Sequence, residues 1–260
     1  MQNNPVVYLI GAGPGDPELL TVKAVRILKN ADVVVYDRLV SKEIMDLVPT
    51  GTARIDVGKQ PCTHPVPQDD INALLVRLAE EGKRRVVRLK GGDPFTFGRG
   101  GEESLALSRH GINVEVIPGV TAASGCAAAL GIPLTHRGLA TGVRYVTGHC
   151  RDGVHLDLNW KSLADPDTTL VIYMGLINIA KIRDELIKAG LPADTPAGAI
   201  ERGTTEDQRT ILTTLKELPD CIEAADLKAP SLLIIGRVVG LAPDLGWYIP
   251  PMDCDVEAGQ

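Results

Sequence analysis

The chain has 260 residues, 44% hydrophobic and 23% charged, with a formal charge of −6 at pH 7. That apolar content can offset the entropy of ordering, which excludes a disordered chain. The acidic balance and the low aromatic count (Phe 2, Trp 2, Tyr 5) argue against a nucleic-acid binder with stacking platforms.

Strand and helix patterns alternate through the first half. Residues 6–10 are a continuous apolar run ending in glycines, which predicts a buried strand. Residues 19–28 carry Leu20, Ala24, Ile27 and Leu28 at helical spacing. Residues 32–36 and, more weakly, 55–57 are further β-branched runs. Residues 69–81 are amphipathic, with Ile71, Leu74, Leu75 and Leu78 on one face. Residues 85–89 and 114–117 complete five predicted strands. Strands alternating with helices imply parallel βαβ units with right-handed crossovers. Ile117-Pro118-Gly119 is a breaker, so an N-terminal α/β domain is expected over residues 1–118 and a C-terminal α/β domain over 119–260.

Beyond the breaker, residues 121–130 are small and predict a close-packed helix. Strands are predicted over 144–147, 169–174, 197–201, 209–213 and 231–236, with helices over 178–189 and 214–225. The tail from Pro250 lacks periodicity. Residues 1–4 are polar, and no apolar run approaches the roughly 18 residues of a membrane span. A cytoplasmic protein without membrane contact is expected. Cys62, Cys126, Cys150, Cys221 and Cys254 are odd in number and widely spaced, which predicts free thiols. The His149-Cys150 neighbours have no matching pair elsewhere, so no metal site is expected.

Glycines gather at predicted strand ends, where backbone can approach a ligand closely. The first such loop is Gly11-Ala12-Gly13-Pro14-Gly15-Asp16-Pro17. It departs from the dinucleotide pattern GxGxxG, and its prolines remove amide donors. Asp37, at the end of the second strand, still sits where a ribose-binding acid would. No GxxxxGK[ST] is present. The second loop, residues 88–103, holds five glycines and both phenylalanines among several charges. Residues 118–123 and 131–137 follow, then Tyr173-Met174-Gly175 and Glu201-Arg202-Gly203. In open α/β sheets ligands bind outside strand carboxyl ends, so these loops are expected to converge on one interdomain cleft.

The motifs VYLIGAGPGDPELLT, VVVYDRLV, VGK, RLKGGDPFTFGRGGEE, PGVTAASG, GIPLTHR, VTGH, YMG, ERGTTEDQR and PSLLIIGRVVG run from Val6 to Gly240. In this order they resemble the uroporphyrinogen-III C-methyltransferases of the tetrapyrrole methylase family. The resemblance implies two α/β domains with a cleft for S-adenosylmethionine (SAM) between them, usually in a homodimer. It implies uroporphyrinogen III as acceptor, methylated at carbons 2 and 7 to precorrin-2, which feeds sirohaem, cobalamin or haem d1 synthesis. S-adenosylhomocysteine would be the co-product, and no metal is implied. Carried over by motif, the SAM contacts fall on Pro14, Gly91, Gly92, Asp93, Thr96, Thr121, Ala122, Met174 and Gly203. The family's proton acceptor falls on Asp37 and its proton donor on Lys59.

Uroporphyrinogen is a polycarboxylate, so its site needs cations, preferably arginine forks. Arg38, Lys59, Arg99, His136, Arg137, Arg144 and His149 lie in or beside motif loops. Arg99 stands out because Gly98, Gly100 and Gly101 leave it free to reach a ligand, and Glu102 is placed to orient it or to contact a pyrrole N–H. A salt bridge to a nearby Arg or Lys is the plainer role for Asp37. Residues 83–151 hold ten Lys/Arg against four Asp/Glu, a local +6 that leaves −12 for the rest. A sister enzyme acting on a later corrin precursor, an NAD(P)-dependent oxidoreductase and a non-catalytic binding module are the competing readings. Some relatives carry a fused dehydrogenase–ferrochelatase module; with the match beginning at Val6, none is expected here.

Overall fold

The computed structural model describes residues 5–58, 66–83, 85–149 and 156–245. Lys59, Cys62, Cys150, Cys254 and the tail from Pro250 lie outside them. The chain divides into two compact units, Met1–Ala122 and Ala123–Gln260.

In the first unit, β1 (Val6–Gly11), β2 (Val33–Tyr36), β3 (Ala53–Asp56), β4 (Arg85–Lys90) and β5 (Asn113–Ile117) form one sheet in the order β3-β2-β4-β1-β5. All its pairings are parallel. The helices are α1 (Val22–Leu28), α2 (Lys42–Asp46), α3 (Gln68–Glu80) and α4 (Gly100–Arg109). Alternate strand residues feed opposite cores, as the period of two requires. Ile10, Val34 and Leu89 pack with Leu28 and Ile44, whereas Leu9, Val33 and Val35 pack with Leu75 and Leu107.

Local chemistry sets the helix starts. Thr21 caps α1 by accepting from the Ala24 amide at 3.1 Å, and Ser41 caps α2 through the Ile44 amide at 3.4 Å. The helix predicted from residue 19 therefore begins at Val22, behind a short 3-10 turn over Pro17–Leu19. Strand β3 starts earlier than its weak apolar run suggested. It is an edge strand whose residues are mostly exposed, so partner register rather than burial sets its bounds. Helix α4 was hidden by Gly100 and Gly101, both poor helix formers.

In the second unit, α5 (Ala122–Ala129) precedes β6 (Gly142–Thr147), α6 (Trp160–Leu163), β7 (Thr168–Tyr173), α7 (Ile179–Lys188), β8 (Pro196–Glu201), β9 (Arg209–Thr214), α8 (Leu218–Ala224), β10 (Ser231–Ile235) and α9 (Ala242–Leu245). The sheet order is β6-β7-β10-β8-β9. Only β6 and β7 are parallel; the other pairings are antiparallel. Ile172, Leu233 and Ala199 on the sheet pack against Ile182 and Leu186 of α7 and Leu218 of α8. The helix predicted from residue 214 begins at Leu218, because Thr214 is the last residue of β9, paired with Pro196. Among the described residues, no helix is long and apolar enough to cross a membrane.

Candidate active site

The strand order places the carboxyl ends of β1 and β4 side by side, with Gly11 opposite Lys90. Beyond that point the two glycine-rich loops stay joined. Gly13 and Gly92 exchange backbone hydrogen bonds of 3.1 and 2.7 Å, and the Ala12 amide donates to the Lys90 carbonyl at 2.7 Å. The loop after β5 closes on the same point. A Cβ on Gly11 would lie 2.5 Å from the Gly119 nitrogen and 2.6 Å from the Gly92 carbonyl oxygen, so backbone fills the space a side chain would need. The loop after β2 joins through Ser41, whose hydroxyl donates to the Gly15 carbonyl at 2.8 Å, and through Leu39, packed on Gly91.

Asp93 fastens this crest. Its Oδ1 accepts from the Phe95 amide at 2.9 Å and the Thr96 hydroxyl at 3.3 Å, and its Oδ2 from the Gly119 amide at 3.1 Å. Pro14, Gly91, Gly92, Asp93 and Thr96 thus belong to one network of loops, and Thr121 and Ala122 follow shortly after Gly119 in the chain. Phe95, Phe97 and Leu39 are exposed apolar side chains of the same loops.

Arg99 caps the start of α4 in the left-handed region, with φ 58°. Its guanidinium forms a fork on Glu102, Nε to Oε1 at 2.8 Å and Nη2 to Oε2 at 2.6 Å. Their mutual hydrogen bonds hold the Glu102 carboxyl below the usual carboxylate range and raise the Arg99 guanidinium. The flanking glycines have a different purpose from the one expected. A Cβ on Gly98 or Gly100 would lie 2.7 or 2.6 Å from the Pro94 carbonyl oxygen, so the loop's own packing demands them; only Gly101 faces open space.

Asp37 is paired. Its Oδ1 accepts from the Leu39 amide at 3.1 Å, and its Oδ2 meets Arg88 Nη2 at 3.4 Å. Behind Arg88 lies a buried cluster. Glu103 Oε1 receives Arg88 Nε at 3.1 Å, Lys90 Nζ at 2.9 Å and Gln68 Nε2 at 3.2 Å. Burial and the neighbouring Arg88 push the Lys90 ammonium below its usual range, against the pull of Glu103. Sequence reasoning left Arg88, Lys90 and Glu103 unassigned. The readable signal was Arg88 and Lys90 at alternate positions of a strand whose other central residues are Val and Leu. Arg38 is exposed in the same loop as Asp37.

In the second unit, Met174 follows β7 with φ 55° and an exposed side chain. The loops after β6 and β7 interlock: the Gly148 amide donates to the Tyr173 carbonyl, and Asn178 Nδ2 to the Gly148 carbonyl, each at 2.7 Å. His149 is exposed beside them. Gly203 lies against Cys126 of α5, where any Cβ would strike the sulfur. Buried Glu201 fixes the turn before it through Arg202 and Arg209, each at 3.0 Å. His136 and Arg137 are exposed on a turn closed by the His136–Ala140 bridge. Arg144 is half-buried, and its Nη1 donates to the Ser162 hydroxyl at 2.7 Å. Six non-glycine residues have positive φ among those described, and five (Phe97, Arg99, Met174, Arg202 and Thr204) fall in loops singled out from the sequence. Such strain gathers at functional sites. No group of three or more His, Cys, Asp or Glu side chains among the described residues is placed to hold a metal.

The chain matches the family of tetrapyrrole (corrin/porphyrin) methylases over residues 6–219. It is 54% identical to a siroheme synthase of Methylococcus capsulatus, over 97% of this chain and 53% of that protein. The chain thus spans about half the length of the curated relatives it matches. A uroporphyrin-III C-methyl transferase from Thermus thermophilus, solved with S-adenyl homocysteine, is 44% identical, with a TM-score of 0.76 over 90% of this chain and 92% of that one. A cobalt precorrin-4 methyltransferase of cobalamin biosynthesis is 30% identical, with a TM-score of 0.80 over 90% of this chain and 95% of that one. Fold, motif order and near full-length likeness agree, and the chain belongs to the tetrapyrrole methylase family.

Proposed function

We propose that the chain methylates uroporphyrinogen III at carbons 2 and 7, using SAM twice, to give precorrin-2. The observation that carries this reading is the 44% identity, across 90% of the chain, to a uroporphyrin-III C-methyl transferase solved with S-adenyl homocysteine. The bound donor supplies a methyl group on a sulfonium, which needs in-line placement more than acid catalysis. A pyrrole carbon forms the new C–C bond, the C–S bond breaks, and its electron pair stays on sulfur in S-adenosylhomocysteine. A proton then leaves the macrocycle.

The chain's residues divide that work. Pro14, Gly91, Gly92, Asp93, Thr96, Thr121, Ala122, Met174 and Gly203 bind and orient the donor. The tied glycine loops suit this, since they present backbone and small side chains. Met174 adds an exposed thioether. Asp37 takes the proton that leaves the macrocycle, and Lys59 is the proton donor that the family resemblance implies. Arg99, steadied by Glu102, grips substrate carboxylates, with Arg38, His136, Arg137 and His149 as further cations. Arg144 is the weakest of these candidates, because its Nη1 is already bonded to Ser162. The working enzyme is read as a cytoplasmic homodimer that needs no metal, in line with the family resemblance.

Incubation with methyl-tritiated SAM and uroporphyrinogen III tests the reaction: label should enter the macrocycle at two positions. A second reading rests on the TM-score of 0.80 to the cobalt precorrin-4 methyltransferase, which favours a later corrin precursor as acceptor. Label transfer to such a precursor, with none to uroporphyrinogen III, would establish it instead.

A further inference from the structure

Strand β4 carries its charges where a sheet normally carries its core. Arg88 and Lys90 are only 3% and 4% exposed, and Glu103 of α4 is fully buried. Positions 88 and 90 face the same side of the sheet, and α4 delivers Glu103 to both. Buried ion pairs of this kind are weak contributors to stability, because desolvation offsets their attraction and apolar residues of similar size would do as well. Their presence calls for another explanation.

The geometry of Arg88 provides one. Its Nε is held by Glu103 Oε1 at 3.1 Å, and its Nη1 by the Leu89 carbonyl at 3.0 Å. With those two donors fixed, the planar guanidinium has no rotation left, so its third donor points one way. That donor, Nη2, meets Asp37 Oδ2 at 3.4 Å. The other oxygen of Asp37 is held by the Leu39 amide at 3.1 Å. A carboxylate on an exposed loop is thereby referenced to the sheet. Glu103 is in turn fixed by Lys90 and Gln68, and its Oε2 has no hydrogen-bond partner among the described residues. Arg88 and Lys90 balance Glu103 and Asp37 in charge, so Asp37 completes a neutral set.

We infer that Arg88 is a positioning residue for Asp37, and that Glu103 holds Arg88 in place from within the core. This rests on the reading of Asp37 as the proton acceptor. Lysine at 88 keeps the charge but cannot make three directed contacts, and glutamine at 103 keeps the shape but loses the ion pair.

The test is a double-variant cycle on the full chain, assayed with SAM and uroporphyrinogen III. Asp37→Asn should lower kcat by about 100-fold or more, the range of a lost general base. Arg88→Lys should lower kcat by up to about 100-fold, the effect of a misplaced catalytic group, with both KM values little changed. In the Asp37→Asn background Arg88→Lys should have almost no further effect, because both changes disable one function. Arg88→Lys should also move the limb of the pH–rate profile that belongs to the proton acceptor, which general loosening of the fold would not do. Calorimetric SAM affinity should stay at the parent value. If Arg88→Lys fails to bind SAM, Glu103→Gln carries the same comparison. Effects that multiply in the double variant, or an unchanged kcat in Arg88→Lys, overturn the inference. An unchanged kcat in Asp37→Asn removes the reading beneath it and the inference with it.

Discussion

Met174 and Arg99 are both left-handed and both exposed, a conformation that side chains other than glycine adopt at some cost. For Met174 the proposed return is an uncharged thioether against the donor. Met174→Lys should therefore abolish SAM binding in a calorimetric titration, and unchanged affinity would reject the placement. For Arg99 the return is a guanidinium gripped by Glu102. Because Arg99 holds the Glu102 carboxyl below its usual range, the folded state gains from this pair above the ordinary carboxyl pKa. That gain is lost as the pH falls through the lowered folded value. Arg99→Ala should move the Glu102 titration upward, as followed by carboxyl NMR, and should raise the KM for uroporphyrinogen while SAM affinity holds. Asp37 shows how far single residues could be read. The plainer expectation, a salt bridge, is present, and its partner is the buried Arg88. Sequence spacing cannot name that partner, because the residues lie 51 positions apart and meet only through the pairing of β2 with β4.

At the level of elements, periodicity found the strands and the longer amphipathic helices, since burial imposes the period. It failed where burial does not control the pattern: at the exposed edge strand β3, at the short helix α2, and at α4 behind its glycines. The glycine loops were legible as sites of close approach, but what approaches was not. Gly11, Gly92 and Gly119 meet one another's backbone. Gly119→Ala would place a Cβ 2.7 Å from the Gly11 Cα and should destabilise the protein by about 1–3 kcal/mol, measured by urea unfolding. On α5, burial pushes the Cys126 thiol up to about 12, so it stays protonated at neutral pH. Peptide mapping after alkylation should find Cys126 unmodified in the native protein and modified after denaturation.

Over the whole molecule, the formal charge of −6 conceals a basic stretch at residues 83–151. If that stretch serves a polycarboxylate, uroporphyrinogen affinity should fall steeply with added salt, while SAM affinity should change little. Equal salt dependence for both ligands would count against a dedicated basic site. The two α/β units were visible in the alternation of elements, but the antiparallel pairings of the second sheet were not, because hydrophobic runs do not encode direction. The strand order of the first unit also has a kinetic side. Strand β1 pairs with β4 and β5, and β2 pairs with β3 and β4, so nothing joins β1 to β2 until β4 exists. During synthesis the apolar β1 must wait, with both edges unpaired, until residues 85–90 have emerged. The strand that then joins β1 to β2 is the one that carries Arg88 and Lys90, so the step that unites the sheet also commits two charges to the core, ahead of the Glu103 on α4 that will receive them.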